Sequence, residues 1–425
     1  MTGFGDLLVK KGHTVIFSQR ESFRNVAESH HFVFEPFNED FFPPGPEVYN
    51  DWVKKNLHLF HLDGVERWKA FTEEDQERFG CLVEEYPKVD KALTEVINRV
   101  ANIDVVIGDF VVPFPFTRKL DIMYLPFVSI NPLSIFPKGI PPHAGFSTKE
   151  TNKDLMEDYR SAFLKGWSKF TESLKEWYLE AGCQELAESW NPLNSIVDRP
   201  KYFGFYHYPD DIDYHEFDPP FQNFVRLDSC AREADSEQFQ VAESLVNKPG
   251  RLIFFSMGSL ASIDLALMTK LLKILAKSPN RFIVSTGADG ESLKLYDNMW
   301  GEQYVNQIKV LQVVDLVITH GGNNTLMETL YYGRPMIVIP YFFDQLDNAQ
   351  RVEEKGLGRR INFWDMDDQA LLGAIEEVLA DQTIKDNVQR VSNNMRSSKS
   401  GDQAVKMLEE AVIRREQDRY AKRSC

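Results

Sequence analysis

The chain has 425 residues, a net charge of −16 and a pI near 5.1, with 43% apolar and 12% aromatic residues. That length exceeds one ordinary core and predicts two domains of about 200 residues each. The acidic balance excludes the basic surface that binding to nucleic acid or to an anionic membrane requires, so an anionic ligand must be met by backbone N–H groups and helix ends. Cys81, Cys183, Cys230 and Cys425 are widely spaced and form neither a metal-type pair nor a disulfide framework, which fits a reducing compartment. No run of about 18 apolar residues occurs. Met1-Thr2-Gly3-Phe4-Gly5-Asp6 lacks a signal-peptide core, so the expectation is a cytoplasmic protein without a membrane span.

Phe4 to Lys11 is predicted as a short helix with Leu7 and Leu8 inward, and Gly12-His13 turns it into a strand over Thr14 to Phe17. Asp104-Val105-Val106-Ile107-Gly108 and Phe127-Val128-Ser129-Ile130 read as buried parallel strands. Strands alternating with helices indicate an α/β domain. Residues 155–178 predict one long amphipathic helix, with Met156, Tyr159, Phe163, Phe170, Leu174 and Trp177 on a single stripe. A core-facing stripe is the favoured reading, and a stripe that partly lines an apolar ligand pocket is the alternative. The polar stretch 228–249 is taken as the interdomain linker. Four strands follow, at Arg251–Phe255, Arg281–Ser285, Leu316–Thr319 and Met336–Ile339, separated by helical patterns. From Asp402 a final helix places Val405, Leu408 and Val412 on one face.

The segment Thr319-His320-Gly321-Gly322-Asn323-Asn324-Thr325-Leu326-Met327-Glu328 carries the chemistry. A strand runs into a Gly-Gly turn and a helix starts near Asn324. Ligands of open α/β sheets sit beyond the carboxyl ends of strands, and a helix N-terminus there presents free N–H groups and partial positive charge. Gly321 and Gly322 let the backbone approach an anion closely. The Gly-Lys-Ser/Thr of nucleoside-triphosphatase loops is absent, so this is a pyrophosphate seat without a lysine. Glu328 shares a face with Asn324 and Thr325 and suits a ribose diol. Asp344 and Gln345 emerge at the next strand end and can bracket sugar hydroxyls with acceptors and donors. Taken singly, the glycines could form a tight turn, Asp344 an N-cap and Tyr304 core packing.

Residues Tyr304 to Gly356 resemble the signature of the UDP-glycosyltransferase family, and the HGGNNT form is most similar to its bacterial macrolide-glycosyltransferase-like branch. Phe255-Ser256-Met257-Gly258-Ser259 resembles the family's first C-domain strand and phosphate turn, with Gly258 and Ser259 on the donor. The resemblance implies a GT-B fold, two Rossmann-like α/β domains with a cleft between them. It divides the chain into an acceptor-binding domain at 1–230, a UDP-sugar-binding domain at 231–401 and a helix at 402–425 that packs back on the first. It implies Tyr304 stacking on uracil with Val305 beside it, Gln307 near the nucleoside, and His320, Gly322, Asn323, Asn324 and Thr325 around the phosphates. Glu328 would take the ribose, and Asp344 with Gln345 the sugar. His320, on the donor side, would donate to phosphate rather than act as a base. No metal or other cofactor is expected beyond UDP-glucose as co-substrate.

The family activates its acceptor with a His in the loop after the first N-domain strand, paired with an Asp. Asp109 matches the Asp, with a loop or helix cap as its structural alternative. The matching His is absent, because the family's first strand and loop would precede the helix near Gly3, so that strand is expected to be missing. His13 stands where the family has a structural Gly-His. Asp109, directly or through water, could then suffice for acidic phenols, with His143, His58 and His61 as alternative bases. Phe110, Pro113, Phe114, Pro115 and Phe116 predict an apolar wall, shared between core and acceptor site, with His143 beside it. The expected activity is transfer of glucose from UDP-glucose, with inversion, to a small lipophilic, phenolic or xenobiotic acceptor such as a flavonoid, in detoxification. The rivals are a non-catalytic UDP-sugar-binding protein and an enzyme of the UDP-GlcNAc epimerase type.

Overall fold

The computed structural model describes residues 1–38, 40–41, 48–110, 112–150, 152–193, 201–218, 220, 223–230, 232 and 239–423. The apolar runs of the sequence form strands that pair in parallel throughout, as helix-covered strands do. Strands β1 (Ile16–Gln19) and β2 (Val33–Pro36) form a two-stranded sheet. A second sheet has the order β3 (Val105–Gly108), β4 (Met123–Val128), β5 (Gly204–His207), β6 (Phe224–Leu227). The third contains β7 (Leu252–Ser256), β8 (Arg281–Ser285), β9 (Met299–Glu302), β10 (Leu316–Thr319), β11 (Met336–Val338) and β12 (Gly358–Arg360). Its order is β12-β11-β10-β7-β8-β9. The chain therefore builds outward from β7 in one direction, then returns to the other side of β7 with β10. That reversal makes the carboxyl ends of β7 and β10 a topological switch point, where a crevice opens between diverging loops.

Several elements differ from the sequence-based expectation. The opening helix is Thr2–Lys10, and the strand after it starts at Ile16 rather than Thr14. The strand expected at 127–130 is Met123–Val128, because the chain leaves the sheet towards a short 3-10 turn at Pro132–Ile135. The single helix expected over 155–178 is two, Lys153–Gly166 and Ser168–Glu180, meeting at Trp167. Packing forces the break. A Cβ on Gly166 would lie 2.6 Å from Trp68, and the bend drops Trp167 edge-on against Phe79, with ring centres 4.8 Å apart. Much of the linker expected at 228–249 lies outside the described residues.

Between β2 and β3 the chain is helical, and one buried cation from this region ties it to the other half. Arg67, 2% exposed, donates to the carbonyls of Leu59, Phe60, Leu62 and, across the molecule, Tyr341. The Asp347 carboxylate accepts from the backbone N–H groups of His143 and Gly145 at 2.6 and 2.8 Å. The last helix, Ser400–Arg423, lies against β6 and the opening helix, burying Val405 and Leu408 with Phe4 and Leu8. None of the described helices is long and apolar enough to cross a membrane.

Candidate active site

The turn expected to seat the phosphates forms where β10 gives out. After Thr319 the chain turns through His320, Gly321 and Gly322 into the helix Asn323–Tyr331. Gly321 has φ +85°, and a Cβ there would sit 2.5 Å from Val338. The register pairs Ser256 of β7 with Thr319, so the turn at Met257–Gly258 faces the His320 turn. His320 stands between two glycines: a Cβ on Gly258 or Gly322 would lie 2.4 or 2.5 Å from its ring. Enclosure by protein lowers the imidazole pKa to about 4, against a hydrogen bond with the Ser256 backbone that favours the charged form. The ring is thus neutral at pH 7, with one N–H to donate. No side chain caps the helix at Gly322 and its first turn holds no acid, so its first N–H groups point at the crevice. Asn324 and Ser259 are exposed at the same mouth.

The nucleoside side is one hydrogen-bonded group. Glu328, 6% exposed, accepts from Gln307 Nε2 at 2.5 Å and from Arg232 Nε and Nη2 at 2.8 and 3.1 Å. Thr325 Oγ1 donates to Gln307 Oε1 at 3.5 Å. Tyr304 is 72% exposed and free to stack, while Val305 packs on the core. Asn323 is buried and donates to the His207 carbonyl at 3.2 Å, leaving its own Oδ1 without a protein partner. Sequence reading missed Arg232 and His207. Neither lies within the 304–356 signature, so no local pattern points to them.

Asp344 and Gln345 are placed more inwardly than a pair that brackets a sugar needs. Asp344 Oδ2 accepts from the Asn131 N–H at 2.9 Å, and burial raises its pKa to about 6. Gln345 Oε1 accepts from the N–H groups of Tyr341 and Phe342 at 3.0 and 2.9 Å. Both hold the turn after β11. Only the Gln345 amide N–H group and the second Asp344 oxygen are left for a ligand.

On the acceptor side a cavity of about 1440 Å³ runs along β1 and β3 to Asp109, Phe110, Trp167, Phe170, Phe342 and Phe343. Asp109 follows β3 and lines this cavity, with its residue surface still exposed. Its enclosure raises the carboxyl pKa, opposed by hydrogen bonding to Ser129 and by the nearby Met1 ammonium. The expected apolar wall is only partly there. Phe110 lines the cavity, but Phe114 is 3% exposed and packs in the core against Trp177 and Tyr86. Phe170, from the stripe expected to be core, and Trp167, at the break, are buried in the core and also line the cavity.

His143 is corrected as an acceptor contact and as a base. It is 2% exposed, its ring stacks on Phe343 at 3.8 Å, and neither ring nitrogen has a partner. Burial lowers its pKa to about 3. His58 and His61 do not line the cavity and face Asp75 and Asp264, at 3.9 and 2.5 Å. None of the donor-side residues lines the cavity. Phe342 and Phe343, just before Asp344, are where the C-terminal half meets it.

Two parallel α/β halves, the second with a topological switch point between β7 and β10, define the GT-B architecture. The fold is shared with the glycotransferase of kitacinnamycin, at a TM-score of 0.67 and 16% identity over 96% of this chain and 95% of that one. Residues 213–417 match the family described as UDP-glucoronosyl and UDP-glucosyl transferase. Human UDP-glucuronosyltransferase 2A3 is 31% identical over 207 residues, 47% of this chain and 38% of that protein. The uncharacterized UDP-glucosyltransferase YojK of Bacillus subtilis (strain 168) is 26% identical over 173 residues, 40% of this chain and 43% of that protein. The chain thus spans less than half the length of these relatives.

Proposed function

We propose that the chain is a glycosyltransferase that moves glucose from UDP-glucose, with inversion, to a hydroxyl of a small lipophilic acceptor, a phenol or xenobiotic. The observation that carries this is the uncapped helix 323–331 at the β7/β10 switch point, with neutral His320 wedged between Gly258 and Gly322. Its N–H groups and the His320 N–H receive the diphosphate, and Ser259, Asn324 and Thr325 edge the same seat. Uracil stacks on Tyr304, and Glu328 with Gln307 takes the ribose. Of the largely buried Asp344 and Gln345, only one carboxylate oxygen and the amide N–H group remain for the sugar. A carboxyl group at that place favours a neutral hexose over a uronate, whose own carboxylate it would repel.

In the transfer the acceptor oxygen attacks the anomeric carbon as the bond to the diphosphate breaks, UDP leaves, and the hydroxyl proton passes to Asp109. A carboxyl with a raised pKa is a better matched base near neutral pH than an ordinary one. Phenols need less help than aliphatic alcohols. Phe110, Trp167 and Phe343 supply a wall that selects by shape, which suits broad detoxification chemistry in a reducing, cytoplasmic setting.

The test is mass spectrometry of reactions with UDP-glucose or UDP-glucuronate and a panel of phenols, flavonoids and aliphatic alcohols. Hexosylated phenols should form from UDP-glucose, and Asp109→Asn should lower kcat/KM about 10²–10⁴-fold with donor affinity unchanged. Full turnover by Asp109→Asn would remove Asp109 from the role. One observation favours a second reading, a non-catalytic UDP-sugar binder: among the described residues the cavity is lined by a single histidine, His13, which is paired with Glu409. Calorimetric binding of UDP-glucose with no product from any acceptor would decide for it.

A further inference from the structure

Five described residues other than glycine have a positive φ: His31, Asn102, His143, Asn223 and Phe343. Four are histidines and asparagines, the types that tolerate the left-handed region. Phe343, at φ +57°, is the exception, a bulky side chain where glycine would fit without strain. The turn that carries it is held from two sides. Arg67 Nη2 donates to the Tyr341 carbonyl at 2.9 Å, and Gln345 Oε1 accepts from the N–H groups of Tyr341 and Phe342. Strained residues persist where their surroundings fix them, and they collect at ligand clamps. Glycine would close this turn more easily, so what phenylalanine adds here is its ring.

A second unfavourable residue backs that ring. His143, at φ +66°, is buried and stacks on Phe343 with ring centres 3.8 Å and planes 17° apart, and neither of its ring nitrogens has a partner. Its backbone is pinned: Asp347 accepts from its N–H, and the Tyr159 hydroxyl donates to the Pro142 carbonyl at 2.9 Å. Two strained backbones and one unpaired imidazole thus serve one ring position. Phe343 is partly exposed and lines the cavity, whereas His143 behind it does not. Among the described residues from β7 to β12, only Phe342 and Phe343 reach the cavity, and Phe342 is buried against Trp52 and Phe60. Phe343 is therefore the open aromatic face that this half turns to the cavity. The next residue is Asp344, with one carboxyl oxygen left for a ligand.

We propose that Phe343 is a specificity-determining residue for the acceptor, a fixed platform, backed by His143, on which a planar aromatic acceptor stacks beside Asp344. The wall around it selects by shape and apolar area. A fixed ring face adds a preference for unsaturated over saturated ring systems of the same outline, because stacking depends on the π face and not on area alone. Pre-set geometry helps, since a partner already ordered loses little freedom on binding. Trp167, tilted by 33° with its ring centre 6.4 Å from that of Phe343, borders the platform and also lines the cavity. The inference rests on the transferase reading for the use made of the bound ring, but the binding itself needs no donor.

The experiment measures binding of naphthol and of its saturated counterpart, decahydronaphthol, by calorimetry without donor. The proteins are the 425-residue chain, Phe343→Gly and Phe343→Tyr. Glycine suits the backbone at this position, so the unfolding midpoint of Phe343→Gly should hold or rise, with UDP affinity unchanged. Phe343→Gly should weaken naphthol binding about five- to tenfold more than decahydronaphthol binding, and Phe343→Tyr should keep the parent's preference. With UDP-glucose present, Phe343→Gly should raise KM for naphthol and leave KM for the donor alone. An unchanged ratio of the two affinities in Phe343→Gly, or no naphthol binding by the parent, would overturn the proposal. So would a lowered midpoint together with lost UDP binding, which would make the ring a structural part of the turn. Naphthol preference that depends on Phe343, with no product from any acceptor, would uphold the platform and remove the transferase reading instead.

Discussion

At the scale of single residues the donor seat depends on the absence of two methyl groups. Gly258 has φ +67° and, like Gly322, leaves just enough room for the His320 ring. Gly258→Ala should weaken UDP binding about 10–100-fold in calorimetry and also lower the unfolding midpoint by a few degrees, because alanine is strained at that φ and the ring must leave its place. His143 shows a different property of burial. Its folded pKa, held near 3 by desolvation, lies below its unfolded value of 6.5. Such a group contributes stability above pH 6.5 and loses it as the pH falls towards 3. His143→Phe keeps the ring on Phe343 and has no proton to gain, so its stability relative to the parent should improve by about 2 kcal/mol between pH 8 and pH 5. Urea unfolding at the two pH values reads this directly.

At the scale of elements the C-terminal half was largely legible. Four of its six strands are largely apolar runs, and the turn at 320–322 carries its glycines in plain view, whereas Met299–Glu302 and Gly358–Arg360 lack such a run and were not read. The N-terminal half was less so. Nothing in the 155–178 stripe announces the break at Trp167, because the cause is Trp68, a hundred residues away in the chain. The helices between β2 and β3 were not read at all. Most are short and held by aromatic packing between them, although Tyr86–Arg99 is longer and buries Ala92, Leu93 and Val96 on one face. Phe114 and His143 were misplaced for one reason: sequence gives their neighbours along the chain, while burial is decided across it. Arg67 belongs to these unread helices, and its guanidinium joins three carbonyls of its own region to that of Tyr341. Arg67→Met should cost about 2–4 kcal/mol in urea unfolding, because buried carbonyls lose their donor.

At the scale of the whole molecule, one apolar cluster closes the N-terminal half with residues from both ends of the chain. Phe4, Leu8, Leu125, Phe205 and Leu227 are covered by Ala404, Val405 and Leu408 of the last helix. This has a consequence for biosynthesis. A ribosome making 5–20 residues per second needs roughly 10–40 s to travel from Leu227 to Leu408. Throughout that interval the first half is finished in sequence and unfinished in packing, with a phenylalanine-rich face open to solvent. Nascent chains arrested before Ser400 should therefore bind an apolar-surface dye or a holdase chaperone, and chains released at full length should not. In this architecture residues made late seal a face made early.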